Sequence, residues 1–427
     1  MIQRALDPQY PLVLGRKGTG KTALFRYMTQ VQEEPSVDVL PVMAAQGLQT
    51  RNKGLLLGEQ VFRSIDNALI AHGHLRWKQF WMLLVLLQAH SLEYVEPSIF
   101  TELGVEAALP IDGLSLVQWL EELSATQHFG LKLEQVFSRV TRERPTPLLA
   151  LWDGLDTGFG NQAEDRERRS EALRHLMSMV LEWEKQGQIR FKILLREDIW
   201  RDLRFENKSH LFGRAVTLQW AEQNSFLKVA IKQLWRSEKF VELVKGRFPD
   251  HQAQLDASME TWKDELVERV WNLVAGERMS GGKTAFTRNW VWKRLADANN
   301  DRAPRNLLQL VGKAIEREKK QQQQSQYFRS LIRPNSLIKV LPDVSEQALA
   351  AILEEFGELD PVTKALKGIG RTPFQASDLT STDGDLISLA REVGLLGIHE
   401  GEEGRIERYR VPEIYRLALD MTRKGQA

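Results

Sequence analysis

The sequence predicts an α/β chain in which a parallel sheet carries helices on both faces, followed by an all-helical lid and a C-terminal tail of winged-helix type. Three observations predict it. Compact apolar runs alternate with helical periodicity through the first half of the chain, as they do where crossover helices connect parallel strands. Helical periodicity then dominates from Phe240 to Phe328. The tail after Thr372 reads as helix, turn, helix and finally hairpin.

Taken in order, Tyr10 to Gly15 is a short apolar run ending in glycine, and Lys21 to Gln30 reads as a helix, which together give strand, loop, helix. Val37 to Ala44 is a second candidate strand, weakened by Asp38 and Pro41. From Leu55 to about Val140 apolar residues recur at three- and four-residue spacing, as at Phe62, Ile65 and Leu69 and again at Leu116, Trp119, Leu120 and Leu123. This predicts a helical insertion over about residues 50–140. Thr146 to Trp152, opened by Pro145 and Pro147 and closed by Asp153 and Gly154, has the unbroken apolarity of a buried parallel strand. Arg190 to Arg196 is another, after a charged helix from about Glu164 to Gln186, and Ala215 to Trp220 is the last. The first domain is therefore expected to span residues 1–235.

Residues 236–333 are expected to form the helical lid, interrupted by a loop from Gly276 to Thr287. The segment Glu316 to Gln326, with its four consecutive glutamines, is read as the exposed continuation of a helix begun at Arg305. Pro334, Asn335 and Ser336 mark a linker. Residues 334–427 then make a helical linker and a winged-helix-like domain, with a helix over Leu386 to Val393, a cap at Gly394, and Ile398 to Val411 bracketing the loop Glu400 to Gly404.

A chain of 427 residues is long enough for two or three domains with their own cores. At 42% hydrophobic and 27% charged it has a globular composition, and no apolar run approaches the roughly 18 to 20 residues a membrane helix needs. Phe80 to Ala89 comes closest. With no export leader at Met1, the expectation is a cytoplasmic protein that makes no use of a membrane. The absence of cysteine excludes disulfides, thiolate metal sites and cysteine nucleophiles together. His72 and His74 are close neighbours but have no carboxylate at ligand spacing. The net charge of +1 supplies no global field for nucleic acid, so any such contact must come from a local patch.

The most specific motif is Gly15-Arg16-Lys17-Gly18-Thr19-Gly20-Lys21-Thr22, which fits the phosphate-binding P-loop and lies between a strand and a helix, where that loop must lie. Its glycines let successive backbone N–H groups point at phosphates, with the helix N-terminus behind them. Lys21 would reach the β- and γ-phosphates, and Thr22 would hold Mg²⁺ through its hydroxyl. The second glycine-rich run, Ser280 to Thr284, has no strand leading into it and its preceding glycine is displaced, so it is read as a loop.

A P-loop hydrolase also needs an acid at the end of a neighbouring strand to orient the metal and its water. Asp153, after Leu148 to Trp152, supplies it. Where many hydrolases carry a glutamate base the chain has Gly154, and Asp156 is the best local substitute. Arg196 ends its strand beside the expected γ-phosphate position, with Asp198 and Glu197 as alternative partners. Arg305 begins a helix of the lid and would couple the nucleotide to domain angle. Arg201 and Arg204 are candidate arginine fingers for a neighbouring subunit.

These residues resemble the P-loop ATPases of the AAA+/STAND group, near its origin-recognition and NACHT-like branches. The resemblance rests on Gly15 to Thr22, on Asp153-Gly154-Leu155-Asp156 and on Leu195-Arg196-Glu197-Asp198, and is extended by Leu218-Gln219-Trp220, Pro304-Arg305-Asn306-Leu307-Leu308 and the tail. It covers most of the chain outside the insertion, and more narrowly the loop is similar to that of an uncharacterised bacterial group. It implies an ATP-driven, oligomerising switch, often in bacterial defence or signalling. Thr157 departs from the pattern where a further acid is usual. Only fourteen residues precede the loop, whereas the relatives carry an upstream segment that packs on adenine; this suggests the C-terminal part of a longer polypeptide.

Two functions compete. One is a slow ATP-hydrolysing switch that reports to a protein partner or a second copy of itself, and the other is a DNA-binding ATPase of the origin-recognition kind. From Thr372 to Ala427 there are seven Lys and Arg against ten Asp and Glu, the wrong sign for phosphate backbone. A protein partner is favoured. A small-molecule kinase would leave the lid and tail without a role, and no guanine-reading motif follows the last strands, so ATP is the expected nucleotide.

Overall fold

The computed structural model describes residues 2–30, 37–43, 59–72, 76–104, 110, 112–124, 126, 128–156, 159, 163–186, 188–279, 285–402 and 405–424. Its contacts divide into two compact units, one of residues 1–16 and 20–218 and the other of residues 17–19 and 219–427.

The first unit runs α1 (Ile2–Leu6), β1 (Leu12–Gly15), α2 (Lys21–Gln30), β2 (Asp38–Met43), α3 (Glu59–His72), α4 (Trp77–Ser91), α5 (Ser98–Glu102), α6 (Gly113–Ser124), α7 (Phe129–Glu143), β3 (Leu148–Trp152), α8 (Ala163–Trp183), β4 (Ile189–Arg196), α9 (Glu197–Asp202), α10 (Lys208–Phe212) and β5 (Ala215–Thr217). The sheet is wholly parallel, in the order β2-β3-β4-β1-β5. Alternation along the strands explains why both faces are covered. Leu12, Leu14, Leu148, Ala150, Trp152, Ile193 and Leu195 join the core beneath α3, α4, α7 and α8. The intervening Val13, Leu149, Leu151 and Leu194 pack instead on Phe25 and Met28 of α2 and on Ala5 of α1.

The strand order corrects one expectation. The strand that leads to Asp153 does not neighbour β1, because β4 lies between them, and the strand ending in Arg196 is the one beside the loop. Gly15 and Arg196 are register partners. The apolar run Phe80 to Ala89 lies in α4, which is buried from Trp77 to Ala89 except Lys78 and Gln79. It packs on α7, α8 and β2, with Trp81 edge-on to Trp152 at 5.3 Å and its indole N–H donating to the Ala172 carbonyl at 2.8 Å. No helix among the described residues is long and apolar enough to cross a membrane.

The second unit comprises α11 (Gln223–Leu234), α12 (Glu238–Arg247), α13 (Gln252–Asp256), α14 (Asp264–Ala275), α15 (Thr287–Arg294), α16 (Pro304–Gln322), α17 (Pro334–Glu355), α18 (Asp360–Ile369), β6 (Arg371–Thr372), β7 (Phe374–Gln375), α19 (Gly384–Glu392), β8 (Gly397–Glu402), β9 (Arg405–Arg410), α20 (Glu413–Arg416) and β10 (Thr422–Arg423). The division falls after Leu218 and not near 235, because α11 buries Phe226, Leu227, Ala230 and Ile231 in the core of this unit. That core is continuous from Phe226 to Met421, so the segments read as lid and tail share it.

Two local readings are corrected here. Pro334 to Ser336 is the first turn of α17 and no linker: proline suits a position whose N–H needs no helical partner, and the buried Glu318 of α16 accepts from the Arg333 N–H at 3.2 Å and the Ser336 hydroxyl at 3.0 Å. The glutamine-rich helix stops at Gln322, whose side chain turns back to bond the Tyr327 N–H and carbonyl, so Gln323 to Gln326 lie outside it. In the tail, the segment after Thr372 begins with β7 and a single 3₁₀ turn, Ala376–Leu379, in place of a helix. α19 and the β8–β9 hairpin follow as expected, and β9 also pairs with β7.

Candidate phosphate-binding site

Gly15 closes β1 and Lys21 opens α2, so the intervening residues form the turn that a strand and a following helix require. Gly18 and Gly20 carry φ of +82° and +110°, a region that side-chain-bearing residues avoid. The Lys21 ammonium folds over the turn and donates to the carbonyls of Gly15 at 2.7 Å and Arg16 at 3.1 Å.

Lys17, Gly18 and Thr19 group with the second unit. Within that unit Lys17 pairs with Glu354 at 2.6 Å, and the Trp220 indole N–H donates to the Thr19 carbonyl at 3.0 Å. Arg305, second residue of α16, lies against Gly18, where an added Cβ would stand 3.2 Å from the Arg305 Cβ.

Asp153 follows β3 and is 3% exposed. The Thr22 hydroxyl and the Gly154 N–H hydrogen-bond to its carboxylate, so the structure brings together the two residues read as metal-side ligands. Burial pushes the Asp153 carboxyl above the usual carboxylate range; the Thr22 bond opposes this and the nearby Asp156 charge adds to it. Its Oδ2 has no hydrogen-bond partner among the described residues. A buried carboxylate oxygen without a donor, next to a hydroxyl oxygen, is the oxygen-only donor set that Mg²⁺ takes, so these residues fit that ion. Among the described residues no group of three or more His, Cys, Asp or Glu is arranged for a metal, and His74 lies outside them, as does the run Ser280 to Thr284.

Arg196 and Asp156, both singled out in the sequence, also meet, with Nη1 of the guanidinium 3.8 Å from Oδ2 of the carboxylate. Asp198 holds the guanidinium more closely, accepting from Nε at 3.1 Å and Nη2 at 2.7 Å. Arg169 of α8, half-buried, completes the cluster: burial lowers its pKa, the Arg196 charge adds to that, and Asp198 and Asp156 oppose it. Nothing singled it out in the sequence, because Arg166 to Arg169 reads as one charged stretch of a solvated helix. Gly154 has φ +78°, so the position where a glutamate base is usual has a backbone that favours glycine. Arg201 and Arg204 are exposed, and Thr157 lies outside the described residues.

Compared with protein families and with curated proteins, the sequence matches none. Among solved structures, it is similar to Cdc6p from Pyrobaculum aerophilum, with 13% identity over 96% of this chain and 86% of that one and a TM-score of 0.34. A score that low leaves the fold resting on its own strand order and register.

Proposed function

We propose that this chain binds ATP with Mg²⁺ and hydrolyses it slowly, as a molecular switch of the AAA+ kind. The observation that carries the reading is the Thr22–Asp153 pair with its unpartnered Oδ2, set beside a loop whose lysine and positive-φ glycines suit phosphate.

In this reading the N–H groups of the Gly15–Thr22 loop bind the β- and γ-phosphates, and Lys21 exchanges its two carbonyl partners for their oxygens. Thr22 and Asp153 would hold Mg²⁺, which when bound offsets charge on the phosphate oxygens. Asp156 orients the attacking water, and Arg196 reads the presence of the third phosphate. With Gly154 in place of a glutamate and Asp156 already facing a guanidinium, the base is weakly placed, which supports slow turnover. Arg305 couples nucleotide to the helical region, and the tail reports to a protein partner or a second copy, in a role suited to signalling or defence.

The test is Mg²⁺-dependent ATP turnover by the purified chain, comparing wild type with Asp156→Asn and Arg196→Ala, with and without duplex DNA. Slow turnover that ignores DNA and is lost with Asp156 upholds the switch. Acceleration by DNA of several-fold would put the origin-recognition reading first, against the acidic balance of the tail.

A further inference from the structure

The pairing of Gly15 with Arg196 places the root of the Arg196 side chain beside the first residue of the phosphate loop. Its guanidinium is nevertheless already engaged. Asp198, two residues on in the first turn of α9, accepts from Nε and Nη2 together, the same two-pronged edge that an arginine offers a phosphate. Both side chains are largely withdrawn from solvent, at 10% and 17% exposure, so this pair escapes most of the screening that weakens surface ion pairs. Asp156 faces the remaining nitrogen, Nη1, at 3.8 Å.

We propose that Asp198 sets discrimination between nucleoside tri- and diphosphates by competing with the terminal phosphate for the guanidinium of Arg196. This rests on the nucleotide-binding reading above. A diphosphate leaves the Arg196–Asp198 pair closed. A triphosphate draws the guanidinium away, and the affinity gained at the third phosphate is reduced by what the pair was worth. The carboxylate set free does not remain alone, because Arg169 lies close enough to interact with both Asp198 and Asp156. The exchange is a swap of partners among two arginines and two aspartates, with the incoming phosphate as the added anion. No charge is left buried and unpaired, which would be the costly outcome.

Equilibrium titrations of ATP and ADP with Mg²⁺ test this on the full chain, using wild type, Asp198→Asn, Asp198→Glu, Arg196→Ala and the double variant Asp198→Asn/Arg196→Ala. Asp198→Asn is expected to raise the preference for ATP over ADP about fivefold or more by tightening ATP alone. Asp198→Glu should keep the wild-type ratio, and with Arg196 removed the Asp198 substitution should do nothing. An unchanged or lowered ATP preference in Asp198→Asn overturns the proposal, since a residue that only orients Arg196 gives that result. If circular dichroism shows Asp198→Asn unfolded, Asp198→Ser takes its place with the same expectation. Failure of wild type to bind either nucleotide, with Lys21→Ala indistinguishable from it, defeats the nucleotide reading itself and this inference with it.

Discussion

Gly15 and Arg196 are directly paired across β1 and β4, so the first residue of the phosphate loop and the arginine read as its sensor start side by side although they lie far apart in the chain. A parallel strand inserted between β1 and β3 produces this, and it also sets Asp153 one strand further off. The candidate site is therefore built across three adjacent strand ends, and substitutions at each should separate binding, metal use and backbone strain.

Lys21→Ala should reduce ATP affinity by roughly tenfold to a hundredfold, the range for losing a hydrogen bond to a charged group, while the protein stays folded. The lysine donates to the carbonyls of Gly15 and Arg16, and its loss leaves the pairing of β1 with β4 and β5 in place. Fluorescence titration with a labelled ATP measures this. Wild-type affinity in the variant would remove the loop from the site.

Asp153→Asn should abolish Mg²⁺-dependent tightening of nucleotide and yet stabilise the metal-free protein by roughly 1 kcal/mol, about 2–4 °C in melting temperature for a unit of this size. Burial raises the folded-state pKa of Asp153 above its unfolded value, so between the two the folded chain binds the extra proton. Stability from this group grows as pH falls through that window and is lost as pH rises, which makes the neutral amide the better side chain at pH 7. For the same reason Mg²⁺ binding should fail in mild acid, at higher pH than an ordinary aspartate would dictate. A variant that melts below wild type at pH 7 would contradict the buried-charge account.

Gly154→Glu, which writes in the glutamate base that many hydrolases carry, should fail to accelerate turnover and should cost about 1–2 kcal/mol of stability. The φ of +78° is the reason, since a side chain there is strained whatever its chemistry. Urea unfolding and a turnover assay on one preparation check both halves; faster hydrolysis with no loss of stability would show that the backbone relaxes freely.

Most of the sheet and the loop were legible in the sequence because their signals are local. Leu148 to Trp152 is buried at every residue and reads as one apolar run, and Gly18 and Gly20 announce a backbone few other residues adopt. What was not legible depends on long-range partners. Pro334 reads as a break in any single window, and only Glu318 reaching across from α16 makes it a helix start. Arg169 and Asp165 both sit in a charged stretch that suggests solvent, yet Asp165 is fully buried between Arg63 and Arg168, and Arg169 faces the site. Strand order is likewise set by pairing, so the sequence could name Asp153 and Arg196 and still take the strand of Asp153 for a neighbour of the loop's own strand.

Lys192, in β4, is fully buried, and its ammonium donates to the carbonyls of Asp7 at 2.7 Å and Tyr10 at 2.5 Å. Burial brings its pKa down to about 8, with the Asp7 and Glu184 charges opposing. Between about 8 and 10.5 the unfolded chain holds more protons than the folded one, so stability from this group rises with pH across that window. Relative to Lys192→Met, wild type should gain roughly 1–3 kcal/mol between pH 8 and 10, as read by urea unfolding. A difference that stays flat with pH would show that the ammonium is not desolvated.

The core of the second unit opens at Phe226 and is completed by Leu419 and Met421, whereas every strand of the first unit has been laid down by Thr217. During synthesis the sheet can therefore close while the chain is still being made. In the second unit α14 and α16 pack on α11, but the face of α17 that α20 covers stays open until α20 and the residues after it have left the ribosome. The apolar surface exposed longest to aggregation and to chaperones is thus the one that Ile414, Leu419 and Met421 complete, and removing α20 and the residues after it would leave that surface uncovered for good.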